Sequence, residues 1–310
     1  DYFIHPFLPE DVSSFKIKDK NLWIAGTYNF GIFISSDQGD TWKRKGPLKI
    51  GASDIQINSF GEIYINCNYS TYKSSDNCNS WSLISPPDFA PDLRKLALSY
   101  DDKIYANYEE YIVKLNQENT WDSLAQINYG DYTRVTSLVI DKYNDAYLSV
   151  DYRYYPNYYY NKTIMTNDFI SFQTLFNTWE NLANNDSGYV FFGSSKMYRT
   201  TDRGNTIEEI NNGITNLNAY TIKVLDFNEV YVGDYNKLYL TTNNGDLWHT
   251  IPGPSNSNGI HSIEKIGDGY LVIGAKNGIY RNSTVLSIDD PNSINISPEK
   301  FYLAQNYPNP

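Results

Sequence analysis

"SSDQGDTW", residues Ser35–Trp42, sets an aspartate, a glycine and a threonine ahead of a tryptophan within eight positions. Alone, it fits a metal loop, a catalytic aspartate or a turn. The same order returns as "SSDNCNSW" (Ser74–Trp81), "KLNQENTW" (Lys114–Trp121), "MTNDFISF" (Met165–Phe172), "TTDRGNTI" (Thr200–Ile207) and "TTNNGDLW" (Thr241–Trp248), with a degenerate seventh copy, "YRNSTVLS", at Tyr280–Ser287. Aligned on the acidic or amide position, the copies fall at Asp37, Asp76, Asn116, Asn167, Asp202, Asn243 and Asn282, in steps of 39, 40, 51, 35, 41 and 39 residues. A period near 40 along most of the chain is the signature of a repeat architecture.

Each unit divides into four short alternating runs. In the first these are "SSFKIK", "NLWIAGT", "GIFISSD" and "TWKRKG", separated by turns rich in Gly, Asn and Asp. Such runs predict consecutive antiparallel hairpins. Four strands per repeat is the blade of a β-propeller, and seven repeats predict an all-β, seven-bladed one over residues 1–290. The motif then lies between the third and fourth strands of each blade. The aspartate or amide can accept bonds from the N–H groups of its own turn. Gly39, Gly204 and Gly245 supply left-handed backbone, and Thr41, Ser80, Thr120, Ser171 and Thr206 offer a hydroxyl back to the acceptor. The aromatics Trp42, Trp81, Trp121, Phe172 and Trp248 open the outer strand and cover the hairpin. Four copies carry asparagine, a poor general base, so the motif reads as structural.

The spaced "S-x-D-x-G-x-T-W" copies resemble the Asp-box, or BNR repeat, of sialidase-like propellers, over residues 13 to 290. The resemblance implies that these turns staple the face away from any ligand. It does not select a function, because the motif serves hydrolases and binding proteins alike.

Composition narrows the choice. The formal net charge of −11 argues against nucleic acid and against an anionic membrane surface. No apolar run reaches transmembrane length. Two cysteines, Cys67 and Cys78, and three scattered histidines (His5, His249, His261) give no metal site and imply no cofactor. The cysteines fall at opposite ends of one hairpin, which predicts two thiols rather than a disulfide.

The last residues, "SPEKFYLAQNYPNP" (Ser297–Pro310), resemble the opening of a type IX secretion C-terminal sorting domain, whose "L-x-Q-N-Y-P-N-P" pattern matches Leu303–Pro310. The resemblance implies export by the type IX machinery to the extracellular space or outer-membrane surface. Residues 291–297 read as a linker and 298–310 as the start of that domain. "DSL" at Asp122–Leu124 resembles a short bacterial O-glycosylation acceptor.

The turns between second and third strands line the face opposite the motif turns. They are rich in tyrosine: Tyr28, Tyr69, Tyr108 and Tyr235. The fourth repeat adds "DYRYYPNYYYN" (Asp151–Asn161), with Tyr152, Tyr154, Tyr155, Tyr158, Tyr159 and Tyr160. This insertion accounts for the long step of 51. Clustered rings with hydroxyl tips suit stacking on sugars and contact with proteins. Catalysis is harder to place. The acidic pair Glu109–Glu110 points to opposite sides of an extended strand, a poor arrangement for glycoside hydrolysis. The Arg-Ile-Pro start of sialidases is absent, and the seven arginines share no strand position. The sequence therefore predicts a non-catalytic module whose partner is a glycan or a surface protein. A glycoside hydrolase, and a self-associating subunit of a surface layer or filament, are the alternatives.

Overall fold

The second strand of each repeat is the most continuously apolar, and that pattern requires cover on both sides. Leu22–Thr27, Ile63–Cys67, Ile104–Tyr108, Val190–Gly193, Val230–Gly233 and Leu271–Ala275 are buried at every position. Packing sheets face to face around an axis supplies that cover. The computed structural model describes residues 11–47, 51–67, 70–84, 93–108, 110–156, 158–178, 180–254, 257–267, 270–282 and 301–303. They form seven four-stranded antiparallel sheets, each with its strands in chain order. Sequence and structure agree on the fold class: an all-β, seven-bladed propeller.

Each apolar cluster bridges neighbouring blades. Ile24 and Ile32 of blade 1 meet Ile55, Ile63 and Cys67 of blade 2. Val12, Phe15 and Trp23 of blade 1 meet Val272 and Ile279 of blade 7, which closes the ring. Asp11 N donates to Lys276 O across the same seam at 2.6 Å. The fourth strand of blade 7 is Phe301–Leu303, paired with Tyr280–Asn282. Phe301–Leu303 falls within the stretch 298–310 that resembles the start of a sorting domain. Cys67 and Cys78 are both buried thiols, and burial pushes them up to about 11 and about 12.

The repeated turn works as a hydrogen-bond clamp. Asp37 Oδ1 accepts from Thr41 N at 2.8 Å and Ser35 Oγ at 2.7 Å, and Oδ2 takes the Thr41 hydroxyl. The Ser35 Oγ in turn accepts from Gly39 N at 2.8 Å. Asp76 with Ser80, Asp202 with Thr206, and Asn116 with Thr120 repeat the acceptor part, and Asn243 accepts from Leu247 N. Left-handed residues sit at Gly39, Gly204 and Gly245, and Cys78 holds the same place at φ 64°. In blade 4 the residue is Asp168, not Asn167. Asp168 Oδ1 accepts from Ser171 N at 2.8 Å and from Thr166 Oγ1 at 3.1 Å. That turn is one residue shorter, so the eight-residue window ending at Phe172 set Asn167, one position early, in the acceptor place. Asn282 of the degenerate copy has another task, accepting from Leu271 N at 2.8 Å.

The tryptophans reach further than their own hairpins. Trp81 Nε1 donates to Lys45 O at 2.8 Å, Trp121 Nε1 to Ile84 O, and Trp248 Nε1 to Ile210 O at 2.7 Å. Each acceptor directly follows the outer strand of the preceding blade. Trp42 instead bonds within its own turn, to Gly39 O. Blades 4 and 5 are tied by charge: Arg203 grips Asp145 through Nε at 2.6 Å and a terminal nitrogen at 2.8 Å. Beside this pair, Asp141 is fully buried. Its Oδ1 accepts from Tyr143 N and Asp145 N, whereas Oδ2 lacks a hydrogen-bond partner.

Two outcomes follow. Trp248→Phe removes the donor to a buried carbonyl and should lower stability by about 1–2 kcal/mol in urea unfolding. Burial raises the Asp141 carboxyl from 3.8 to about 6. An acid held more protonated when folded favours the fold below its unfolded value and loses that contribution as pH rises through the folded one. Asp141→Asn should therefore stabilise the protein by about 1–3 kcal/mol at neutral pH and flatten the loss between pH 4 and 6. No gain at neutral pH would refute this account of Asp141.

Candidate ligand-binding face

Strand alternation positions the tyrosine-rich insertion. The second and third strands of blade 4, Ala146–Tyr154 and Tyr158–Thr166, run nine residues each. Their ladder continues without a break through Tyr152↔Tyr160, Arg153↔Tyr159 and Tyr154↔Tyr158. The insertion is thus a prolonged hairpin with two distinct sides.

One side is a tyrosine ladder. Tyr152 lies 5.5 Å from Tyr160 in stacked geometry and 5.5 Å from Tyr129. Tyr154 stands edge-on to both Tyr152 and Tyr160 at 6.0 Å. Lys162 Nζ covers Tyr129 at 4.6 Å. The other side is a groove of about 600 Å³ that includes Tyr132, Arg134, Asp151, Arg153, Tyr159 and Asn161. The Arg153 guanidinium lies 4.4 Å from the Tyr159 ring and 5.4 Å from that of Tyr132, a cation–π sandwich. Arg134 is paired with Asp151 at 2.6 Å, and its Nε has no hydrogen-bond partner. A flat ring beside guanidinium, carboxylate and amide groups offers stacking together with donors and acceptors for hydroxyl groups.

The predicted tyrosines separate into two kinds. Tyr154, Tyr155, Tyr158, Tyr159 and Tyr160 are exposed, Tyr155 to 87%. Tyr28 and Tyr235 are also exposed, but on blades 1 and 6. Tyr28 meets His261 edge-on at 6.3 Å, and Tyr235 donates to Asn258 Oδ1 at 2.9 Å. Tyr152 and Tyr108 are corrections: both are buried, at 8% and 6%, the first within the ladder and the second stacked on Tyr111. Neither has a free ring face to offer. Tyr69 lies outside the described residues. The groove residues Arg134, Asp151 and Arg153 were missed. Their signal is the odd-numbered alternation of Asp151, Arg153, Tyr159 and Asn161 within a stretch that reads first as tyrosines.

Few carboxyl groups on this face suit catalysis. Glu109 lies outside the described residues. Glu110 Oε1 accepts from Gln126. Glu180 is buried, and burial raises its carboxyl, but its Oε1 is occupied by the hydroxyls of Thr178 and Ser194. Arg199 of blade 5 is held by Glu208 of its own blade and Asp246 of blade 6, away from the blade 4 groove. Among the described residues no group of His, Cys, Asp and Glu is arranged to hold a metal ion, and no helix is long and apolar enough to cross a membrane.

The sequence matches no protein-family model and no curated relative. Solved structures do resemble it. Virginiamycin B lyase from Staphylococcus aureus superposes with a TM-score of 0.67 at 12% identity, covering 87% of this chain and 94% of that one. YCF48 from Cyanidioschyzon merolae gives 0.64 at 12%, covering 88% and 94%. The extracellular domain of the hybrid two-component system BT4673 from B. thetaiotaomicron gives 0.65 at 18%, covering 89% of this chain and 39% of that one. What they share is the propeller. At these identities the likeness reaches no further than the fold.

If Tyr152 is structural and Tyr155 is not, alanine should tell them apart. Tyr152→Ala should cost about 3 kcal/mol in chemical denaturation, and Tyr155→Ala should stay within about 0.5 kcal/mol of the parent.

Proposed function

We propose that this chain is an extracellular, non-catalytic binding module that holds a glycan in the Arg153–Tyr159 groove of blade 4. The observation that carries the reading is the prolonged hairpin. It projects five exposed tyrosines and an aromatic-sandwiched arginine from a rigid sheet. Exposed rings in such numbers cost solubility unless something covers them. The propeller in the BT4673 neighbour is an extracellular domain, which supports the location. The repeated acidic turns support membership of the Asp-box propellers. The closing "LAQNYPNP" supports export through type IX machinery, and Ser123 of "DSL" is exposed as an acceptor site requires. A surface protein is the second reading, favoured by Tyr155 and Tyr158 near the hairpin tip, 87% and 62% exposed.

A glycan-array screen tests the proposal with three proteins: the parent, Arg153→Gln, and a variant with Tyr154, Tyr155, Tyr158, Tyr159 and Tyr160 changed to alanine. Selective binding that weakens about tenfold or more in Arg153→Gln and vanishes in the alanine variant is the expected result. Binding that survives both variants would move the site off blade 4. If no glycan is bound, the glycan reading fails; pull-down of a surface protein, or concentration-dependent self-association lost in the alanine variant, would then assign the rings to protein contact. Turnover of a glycoside substrate would replace the non-catalytic reading with the hydrolase.

A further inference from the structure

A second polar site lies on the propeller axis. The inner strands enclose a cavity of about 260 Å³. The ionised side chains on its wall are Lys16, Lys95, Lys223, Asp54 and Glu264, with His261 beside them. Three ammonium groups face two carboxylates, in a chain whose overall charge is −11.

The local pairing sharpens this excess. Lys16 Nζ and Lys223 Nζ both address one oxygen, Glu264 Oε1, at 3.5 and 2.7 Å. One carboxylate neutralises one ammonium, so a positive charge is left over in that trio. Asp54 accepts from Ile55 N at 2.8 Å and Leu96 N at 2.9 Å and also faces Lys95 and Lys16, so the two carboxylates together still leave one of the three ammonium charges unbalanced. Lys95 makes no ion pair among the described residues. An uncompensated ammonium in a narrow cavity is costly, and a bound anion is the direct remedy.

The inner strands around the cavity are bulged toward their tyrosine-face ends. In blades 1, 2, 4 and 7 the inner strand carries one extra residue near that end: Ser13, Ser53, Thr136 and His261. In blade 3 the irregularity falls at Arg94–Lys95. Such bulges re-aim side chains where a strand ends. The His261 ring is held edge-on by Tyr28 at 6.3 Å and Tyr220 at 5.6 Å. Burial, Lys95 and Lys276 all favour its neutral form.

We propose that the axial cavity is a binding site for a small oxyanion, an organic carboxylate or inorganic phosphate, held by Lys16, Lys95 and Lys223. The anion completes a charge set that Glu264 and Asp54 leave unbalanced. Lys223 adds a signature. Burial and the neighbouring Lys16 hold it down to about 8, with Glu264 acting in the opposite direction. An anion beside it raises that value, so binding near pH 8 takes up a proton.

Isothermal titration of the chain with sodium phosphate and, separately, sodium acetate tests this, with chloride keeping the ionic strength constant. Saturable one-to-one binding of at least one anion is expected, and the comparison shows which oxyanion class the cavity takes. Lys223→Met and Lys95→Gln should each weaken binding about tenfold or more, whereas the exposed Lys43→Met should not. Near pH 8 the heat should vary with the ionisation enthalpy of the buffer, reporting proton uptake. If Lys223→Met does not fold, Lys95→Gln, which breaks no ion pair, decides the placement. Absence of saturable binding by both anions overturns the proposal. So does binding of unchanged strength in Lys95→Gln.

Discussion

Everything in this molecule depends on a packing constraint: a β-sheet with two apolar faces has to be covered twice. A single sandwich covers each sheet once. A ring covers every sheet from both sides without needing a helix or a third layer. The second strands carry this demand most strongly, and Ile24, Ile65, Ala106, Val232 and Ile273 sit where one blade meets the next. The tryptophan and Arg203 ties at the rim add direction to that packing, but they connect sheets already forced together.

The same constraint separates scaffold from site. The clamped turns sit at one end of the blades, and their Asp and Asn acceptors are spent on donors of the same turn. Asp76 and Asp168 are held down to about 2 by hydroxyl and backbone donors, which leaves carboxylates suited to holding a turn rather than to shuttling protons. The features with unspent bonding capacity lie elsewhere: exposed rings and the Arg153 sandwich at the opposite end, and the unbalanced lysines along the axis.

The repeat made the architecture legible in the sequence, because a period near 40 and a fourfold strand pattern leave few alternatives. Local register was harder. Asn167 and Asp168 are adjacent, and the aromatic at Phe172 selected the wrong one. The hydroxyl two residues ahead, Ser35, Ser74, Thr200 or Thr241 in other copies and Thr166 here, marks the right one. Tyr108 and Tyr152 showed no sequence difference from their exposed neighbours, since burial depends on what Tyr111, Tyr129 and Tyr160 do across the strand. The axial lysines were invisible for a related reason. Lys16, Lys95 and Lys223 lie in three different repeats, and only closure of the ring brings their strands to one axis.

The uninterrupted ladder of the blade 4 hairpin has a consequence for how such a face changes. Its register runs on from Ala146↔Thr166 to Tyr154↔Tyr158 with no slip. Adding or deleting two cross-strand pairs at the tip would keep every remaining side chain on its own side. The projection is therefore a length-adjustable element: selection can rebuild its groove while the ring beneath it stays unchanged. A propeller of this kind can acquire new recognition by growing one hairpin, with the other six blades acting as a fixed mount.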